Sequence, residues 1–262
     1  MPSAYLLVSH GSRDPRPGFA MQQLVKLLSN SLSAQVAASN QQQFDESRLH
    51  HRISTISVSS TKQPLVGQAC LELSPLLLAQ QIEKFSARAI AQGYSKVQIV
   101  PVFLLPGTHV KEDIPAQVAI AQQTLGKKVA LELRPHLGTH PGLVRLLAAM
   151  MKNKAATWIL LSHGSRRPGA KEPVRVIAKQ LNAVDAYWAV APSLESRVQA
   201  LVNTGHHQIG ILPYFLFPGG ITDAIAQLVA QLQASFETKL HLAEPIGASA
   251  ELASLIRDLV EK

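Results

Sequence analysis

The chain has 262 residues, of which 47% are hydrophobic and 16% charged, with a net charge of +8; that is enough apolar material for one large or two smaller globular domains. One cysteine, Cys70, excludes an intrachain disulfide and a multi-cysteine metal cluster within one chain. No segment approaches the roughly 18 to 20 apolar residues of a membrane helix, and the first residues lack the basic start of a signal peptide, so a cytoplasmic protein without a membrane partner is expected.

In chain order, short apolar runs alternate with helically spaced stretches. Ala4–Ser9, Ala69–Leu73, Val97–Phe103 and Val129–Leu133 read as buried strands. Between and after them, Phe19–Leu32, Pro75–Ala91, Asp113–Leu125 and Pro141–Met151 show helical spacing. The later strands are Thr157–Leu161, Ala186–Val190, Ile209–Tyr214 and Lys239–Leu242. Such alternation predicts an α/β protein built from right-handed βαβ units on parallel sheets.

The order of motifs repeats. Ser9-His10-Gly11-Ser12-Arg13 returns as Ser162-His163-Gly164-Ser165-Arg166, and Pro101-Val-Phe-Leu-Leu-Pro-Gly107 returns as Pro213-Tyr-Phe-Leu-Phe-Pro-Gly219. A fainter match pairs Ala69–Pro75 with Ala186–Pro192. Two tandem domains are expected, 1–150 and 156–262, each a small parallel sheet flanked by helices. The first has 36 extra residues, roughly within 31–66, rich in Ser, Gln and Asn and containing His50-His51-Arg52. This stretch reads as a surface insertion, either a plain solvated loop or a basic lid.

Ligands on such sheets bind beyond the carboxyl ends of the strands, where the repeated motifs fall. His10 follows the first strand and His109 the third, so one cleft receives two imidazoles. Neutral imidazole can ligate Fe, Co, Ni or Zn and can accept a proton near neutrality. Glu72, at the end of the second strand, could orient an imidazole or take up a proton. The second half keeps His163 but has Ala189 in place of Glu72 and Ile221 in place of His109. An active first half and a degenerate second half account for that asymmetry.

Charge is also uneven, with 14 Lys and Arg against 8 Asp and Glu in residues 1–150, and 11 against 9 in 151–262. A basic balance favours anionic partners. Without Lys/Arg runs, and with 5% aromatic residues, nucleic acid is not the expected one.

Together Ser9–Arg13, Cys70–Leu73, Pro101–His109 and Leu137-Gly138 resemble the class II chelatases, specifically sirohydrochlorin chelatases with two tandem domains. The resemblance implies a chelatase-like fold with its active cleft between the two lobes. It implies that His10 and His109 hold the incoming metal and that Glu72 stands beside them. It also implies an anionic tetrapyrrole, sirohydrochlorin, whose carboxylates Ser12, Arg13, Arg16, Thr108 and Lys111 are the candidates to contact. The divalent metal, Fe2+ or Co2+ with Ni2+ as a further candidate, is then a substrate, and no cofactor is retained. The chain ends in Leu252–Lys262 without the His-rich or Cys-rich tail of some cobalt-inserting relatives, which favours iron and sirohaem synthesis over cobalt and cobalamin. A non-enzymatic tetrapyrrole or metal carrier is the other alternative. A cleft contained within one chain makes a monomer the expected form.

Overall fold

The computed structural model describes residues 3–49, 63–151 and 157–261, with the backbone alone over 36–49. Four strands, β1 (Ser3–Ser9), β2 (Val66–Cys70), β3 (Lys96–Pro101) and β4 (Ala130–Leu133), form one sheet in the order β2-β1-β3-β4. A second sheet, β6-β5-β7-β8, is built from β5 (Thr157–Ser162), β6 (Ala183–Tyr187), β7 (Gln208–Pro213) and β8 (Lys239–Leu242). Every strand pair is parallel. The helices are α1 (Pro15–Leu49), α2 (Leu78–Ala91), α3 (Ile114–Leu125), α4 (Gly142–Met150), α5 (Glu172–Gln180), α6 (Leu194–Asn203), α7 (Gly220–Ser235) and α8 (Ala250–Glu261). No helix among the described residues is long and apolar enough to cross a membrane.

In each sheet the first strand lies inside, and the chain winds to one side of it before crossing to the other. The order therefore reverses between β1 and β3, and between β5 and β7. Such a reversal opens a crevice at the carboxyl ends of the two central strands.

Strand alternation divides the core into three. Leu6 and Val8 of β1, with Val97 and Ile99 of β3, face α2 and α3 through Ile82, Phe85 and Ile114. Ile159, Leu161, Ile209 and Ile211 likewise face α6 and α7 through Leu194, Val198 and Ile225. The opposite faces, carrying Leu7 and Val100 in one sheet and Leu160 and Leu212 in the other, join a single cluster with α1, α4, α5 and α8. The two sheets thus share their central layer.

Polar contacts tie the halves as well. The Arg134 guanidinium donates to the Leu259 carbonyl at 2.6 and 2.9 Å. Arg257 donates to the Ser31 hydroxyl at 2.8 Å, and the Tyr214 hydroxyl to the Leu104 carbonyl at 3.2 Å. Arg16, at the start of α1, forks between Asp14 and Asp223 of α7, each with a closest approach of 2.6 Å. Helix α8 belongs to the second half by sequence but packs against α1 and α4 of the first.

Three elements differ from the sequence reading. Helix α1 does not stop at Leu32 but runs to Leu49, because no Gly or Pro interrupts the chain after Gly18 until Pro64. The start of the presumed insertion is therefore helix, while His50, His51 and Arg52 lie outside the described residues. Both second strands start three residues earlier than expected, at Val66 and Ala183. Gly67 sits in β2, with the Phe85 ring packed where a side chain would project. As a result Glu72 lies in the loop after β2 and does not end the strand.

The shared layer predicts that the halves unfold as one unit. Leu252 of α8 is fully buried in it, so Leu252→Ala should cost about 2–5 kcal/mol. Fluorescence from Trp158 and Trp188 and far-ultraviolet dichroism should follow one transition in both proteins; separated transitions would contradict the shared core. The Arg16 bridge carries its own pH signature. The guanidinium holds the carboxyls of Asp14 and Asp223 below the usual carboxylate range. A carboxylate whose folded value is depressed stabilises above its unfolded value, near pH 4, and loses that contribution as pH falls through the folded one. Asp223→Asn should therefore lower the melting temperature slightly at pH 7 in low salt, with the difference from the parent vanishing towards pH 2.

Candidate metal centre and substrate cleft

The β1 loop and the loop after β2 are held together by backbone. The amides of Leu71 and Glu72 donate to the carbonyls of Ser9 and His10 at 2.9 and 2.8 Å, continuing the parallel ladder beyond the strands. Gly11 closes the junction. Its φ is +102°, and a β-carbon there would collide with the Glu72 carbonyl oxygen, so only glycine fits. Leu73 follows with φ 57°, a conformation that costs a branched side chain of this size on the order of 1–3 kcal/mol. Its side chain is 58% exposed and lines the cleft. The outcome is that His10 Nε2 lies 3.8 Å from Glu72 Oε2, with both side chains open to solvent.

His109 comes from the neighbouring strand end. Gly107 and Thr108 lead into a single π-helical turn, His109–Asp113, which runs directly into α3. On this turn the His109 Nδ1 lies 2.7 Å from Asp113 Oδ2. The carboxylate acceptor assigns the proton to Nδ1 and leaves the Nε2 lone pair free. In His10 the Gly11 carbonyl faces Nδ1 at 3.2 Å and favours the same tautomer. The two rings meet edge to face with centroids 4.8 Å apart.

His10, Glu72 and His109 can each offer one ligand atom such that all lie within 4.8 Å of one another. Donors bound at about 2.1 Å on one side of an ion lie roughly 3.0–3.4 Å apart, so the widest pair must approach by roughly 1.5 Å to close on it. Three donors on one open side leave coordination positions for an incoming ligand. Of these groups sequence reasoning missed Asp113, although the His109–Asp113 spacing of four on a helical segment would have signalled it.

His10 and His109 line a cavity of about 610 Å³ between the two halves, and Glu72 stands beside His10 just outside that lining. Its walls are mainly apolar, with Val102, Phe103 and Leu104 from the first half and Tyr214, Phe215 and Phe217 from the second. His163 and Ile221 reach the same cavity. The Ala189 amide donates to the His163 carbonyl at 2.9 Å, which makes Ala189 the backbone equivalent of Glu72. The second half thus repeats the loop junction without the carboxylate or the second imidazole.

The polar candidates divide. Ser12 lines the cavity and its hydroxyl accepts from the Asp14 amide at 3.0 Å. Arg13 is exposed nearby but does not line it. Arg16 is engaged by its two carboxylates. The Thr108 hydroxyl accepts from Arg167, and Lys111 faces a second cavity instead. His136 and His140 are buried away from the cleft; His140 stands 3.7 Å from Asp258 on α8, and burial lowers the His136 pKa.

A sirohydrochlorin ferrochelatase from Priestia megaterium is 26% identical over 199 residues, covering 71% of this chain and 74% of its own. A sirohydrochlorin cobaltochelatase from the same organism is 24% identical over 275 residues, covering 98% and 78%. The fold is that of SirB from Bacillus subtilis with Fe3+, with a TM-score of 0.72 at 24% identity over 100% of this chain and 95% of that one. SirB from the subspecies spizizenii in complex with cobalt gives 0.68 at 22% identity, over 100% and 94%. The CbiX family profile matches residues 59–154 and again 157–262, the first match beginning downstream of His10 and α1. With both halves matched, the chain belongs to the CbiX family, the class II sirohydrochlorin chelatases.

Proposed function

We propose that this chelatase inserts Fe2+ into sirohydrochlorin to give sirohaem, working at His10, His109 and Glu72 in the cytoplasm as a single chain. The observation that carries the reading is the two-imidazole, one-carboxylate set at the edge of an apolar cleft. Two His and one carboxylate with open positions is a donor pattern suited to Fe(II). Cobalt is the second reading, favoured by the likeness to a cobaltochelatase over 98% of the chain.

In this reading His10 and His109 take the hydrated ion through Nε2, and Asp113 keeps the His109 ring turned towards it. The macrocycle lies against the apolar walls with one face to the ion. Ser12 and Arg13 reach its carboxylates. Insertion releases two pyrrolic protons as the ion binds four ring nitrogens, so an acceptor at the face is required. Glu72, exposed beside His10, is that acceptor and can pass protons to water. Residues 1–150 form the catalytic repeat and 156–262 the repeat that completes the cleft.

The deciding assay is anaerobic incubation of sirohydrochlorin with Fe2+, Co2+ or Ni2+, following the absorption change against the uncatalysed rate. Iron should give the highest kcat/KM; a larger value for cobalt would transfer the assignment to the second reading. His10→Ala should remove most turnover, whereas His163→Ala should leave it within a few-fold. Equal losses would end the division into an active and a degenerate half. Asp113→Asn should raise the metal KM about 10–100-fold, as loss of an imidazole's carboxylate partner generally does. Glu72→Gln should lower kcat more than it weakens metal binding measured by calorimetry, and His109→Ala should do the reverse.

A further inference from the structure

The repeat relates two clefts as well as two sheets. The large cavity combines the first-half loop Ser9–Gly18 with the second-half segment Tyr214–Thr222. A second cavity of about 480 Å³ combines the second-half loop His163–Ala170 with the first-half segment Leu105–Glu112. The two meet at Leu105, Gly107 and His163, which line both. The repeat register sets Asp14 against Arg167, Arg16 against Gly169 and Asp223 against Lys111.

The charges in the two places are inverted. In the first, Arg16 stands between two carboxylates, Asp14 and Asp223. In the second, both flanking positions are cations, and the position of the central guanidinium is Gly169, with nothing within 4 Å of where its side chain would start. Among the described residues neither Arg167 nor Lys111 has a carboxylate within ion-pair distance. Arg167 is turned towards the first half by its hydrogen bond to the Thr108 hydroxyl. Ser165 and His163 add polar groups to the same walls, and Glu112 is the one carboxylate among the lining residues.

We propose that this second cleft is a carboxylate subsite, in which Arg167 and Lys111 hold an acidic side arm of the tetrapyrrole whose ring occupies the large cavity. It rests on the sirohydrochlorin reading above. A carboxylate between two cations takes the place that the guanidinium takes between two carboxylates. The arm reaches it past His163, where the cavities meet. An Arg–carboxylate pair is directional and bidentate, so it sets the rotation of the macrocycle about its normal as well as adding affinity. Arg167 is thereby a positioning residue supplied by the half that lacks the metal donors.

The test uses the full chain and metal-free sirohydrochlorin, titrated by the tetrapyrrole's own absorption and fluorescence. Arg167→Ala and Lys111→Ala should each raise Kd and KM for sirohydrochlorin about tenfold, the effect of one charge-assisted hydrogen bond. The metal KM should stay as in the parent, and Arg167→Lys should recover part of the loss. The fully esterified tetrapyrrole should bind parent and variants alike. Equal affinity of Arg167→Ala and the parent for sirohydrochlorin, with unchanged melting, would overturn the subsite. So would an equal loss for the acid and the ester, since that reports damage to the cleft rather than to a charge contact. A loss of affinity for acetate or inorganic phosphate alone would assign the cations to a free anion, against the proposal. A parent protein that binds no sirohydrochlorin would instead overturn the functional reading on which the subsite stands.

Discussion

The hydrogen bond from the Glu72 amide to the His10 carbonyl is the constraint from which the centre follows. It extends the β1–β2 ladder beyond both strands and draws two loops to within one backbone spacing of each other. Gly11 makes this approach possible, since a side chain there would strike the Glu72 carbonyl oxygen. Once the loops are joined, a carboxylate and an imidazole must emerge side by side at the sheet's carboxyl edge. The neighbouring strand β3, hydrogen-bonded to β1 along its length, brings the chain to the same edge, and the π-helical turn after it aims His109 at His10. The same junction recurs between Ala189 and His163, so the scaffold of the centre is a property of the repeat. The three candidate donor side chains placed on it belong to the first half alone.

The cleft has a different origin. Each sheet covers one face with its own helix pair and turns the other towards a layer held in common. Sharing that layer fixes how the halves face each other, and the space left between their loop edges is the cavity. Helix α8 is central to this arrangement because it closes the chain against the half that begins it. A hydrophobic layer therefore sets the distance across the cleft, with Arg134, Arg257 and Tyr214 supplying its directional contacts.

Much of this was legible in the sequence, for reasons that can be named. Buried parallel strands are short apolar runs, and β1, β3, β5, β7 and β8 stand out because Gly or polar residues flank them. The repeat put His10 and His109 at one sheet edge, and the structure brings them into ring contact. The misreadings came where tertiary packing overrode a local sign. The strand β2 begins at Val66 and not at Ala69, and Gly67 lies within it with the Phe85 ring packed where a side chain would project. Arg16 looked like a carboxylate contact for the substrate, but its partners are Asp14, two residues away, and Asp223, which only the folded arrangement of the halves brings near. Lys111 was a candidate carboxylate contact from the sequence, but its place in a second cleft with Arg167 was hidden, since only the folded arrangement sets the two halves face to face. Asp113 stands four residues after His109 on one helical face, a pairing that its position at the start of α3 conceals in the sequence.

The π-helical turn at His109–Asp113 has a consequence of its own. A wider turn accommodates an extra residue without disturbing the helix that follows, and one residue corresponds to about 100° of rotation about a helix axis. The direction of the imidazole and the buried face of α3 are thereby set independently. Deleting a single residue between Val110 and Glu112 would leave Ile114, Val118 and Ala121 seated in the core while swinging the ring a quarter-turn or more from His10. A one-residue deletion at this point is therefore an exchange of aim rather than a loss of structure.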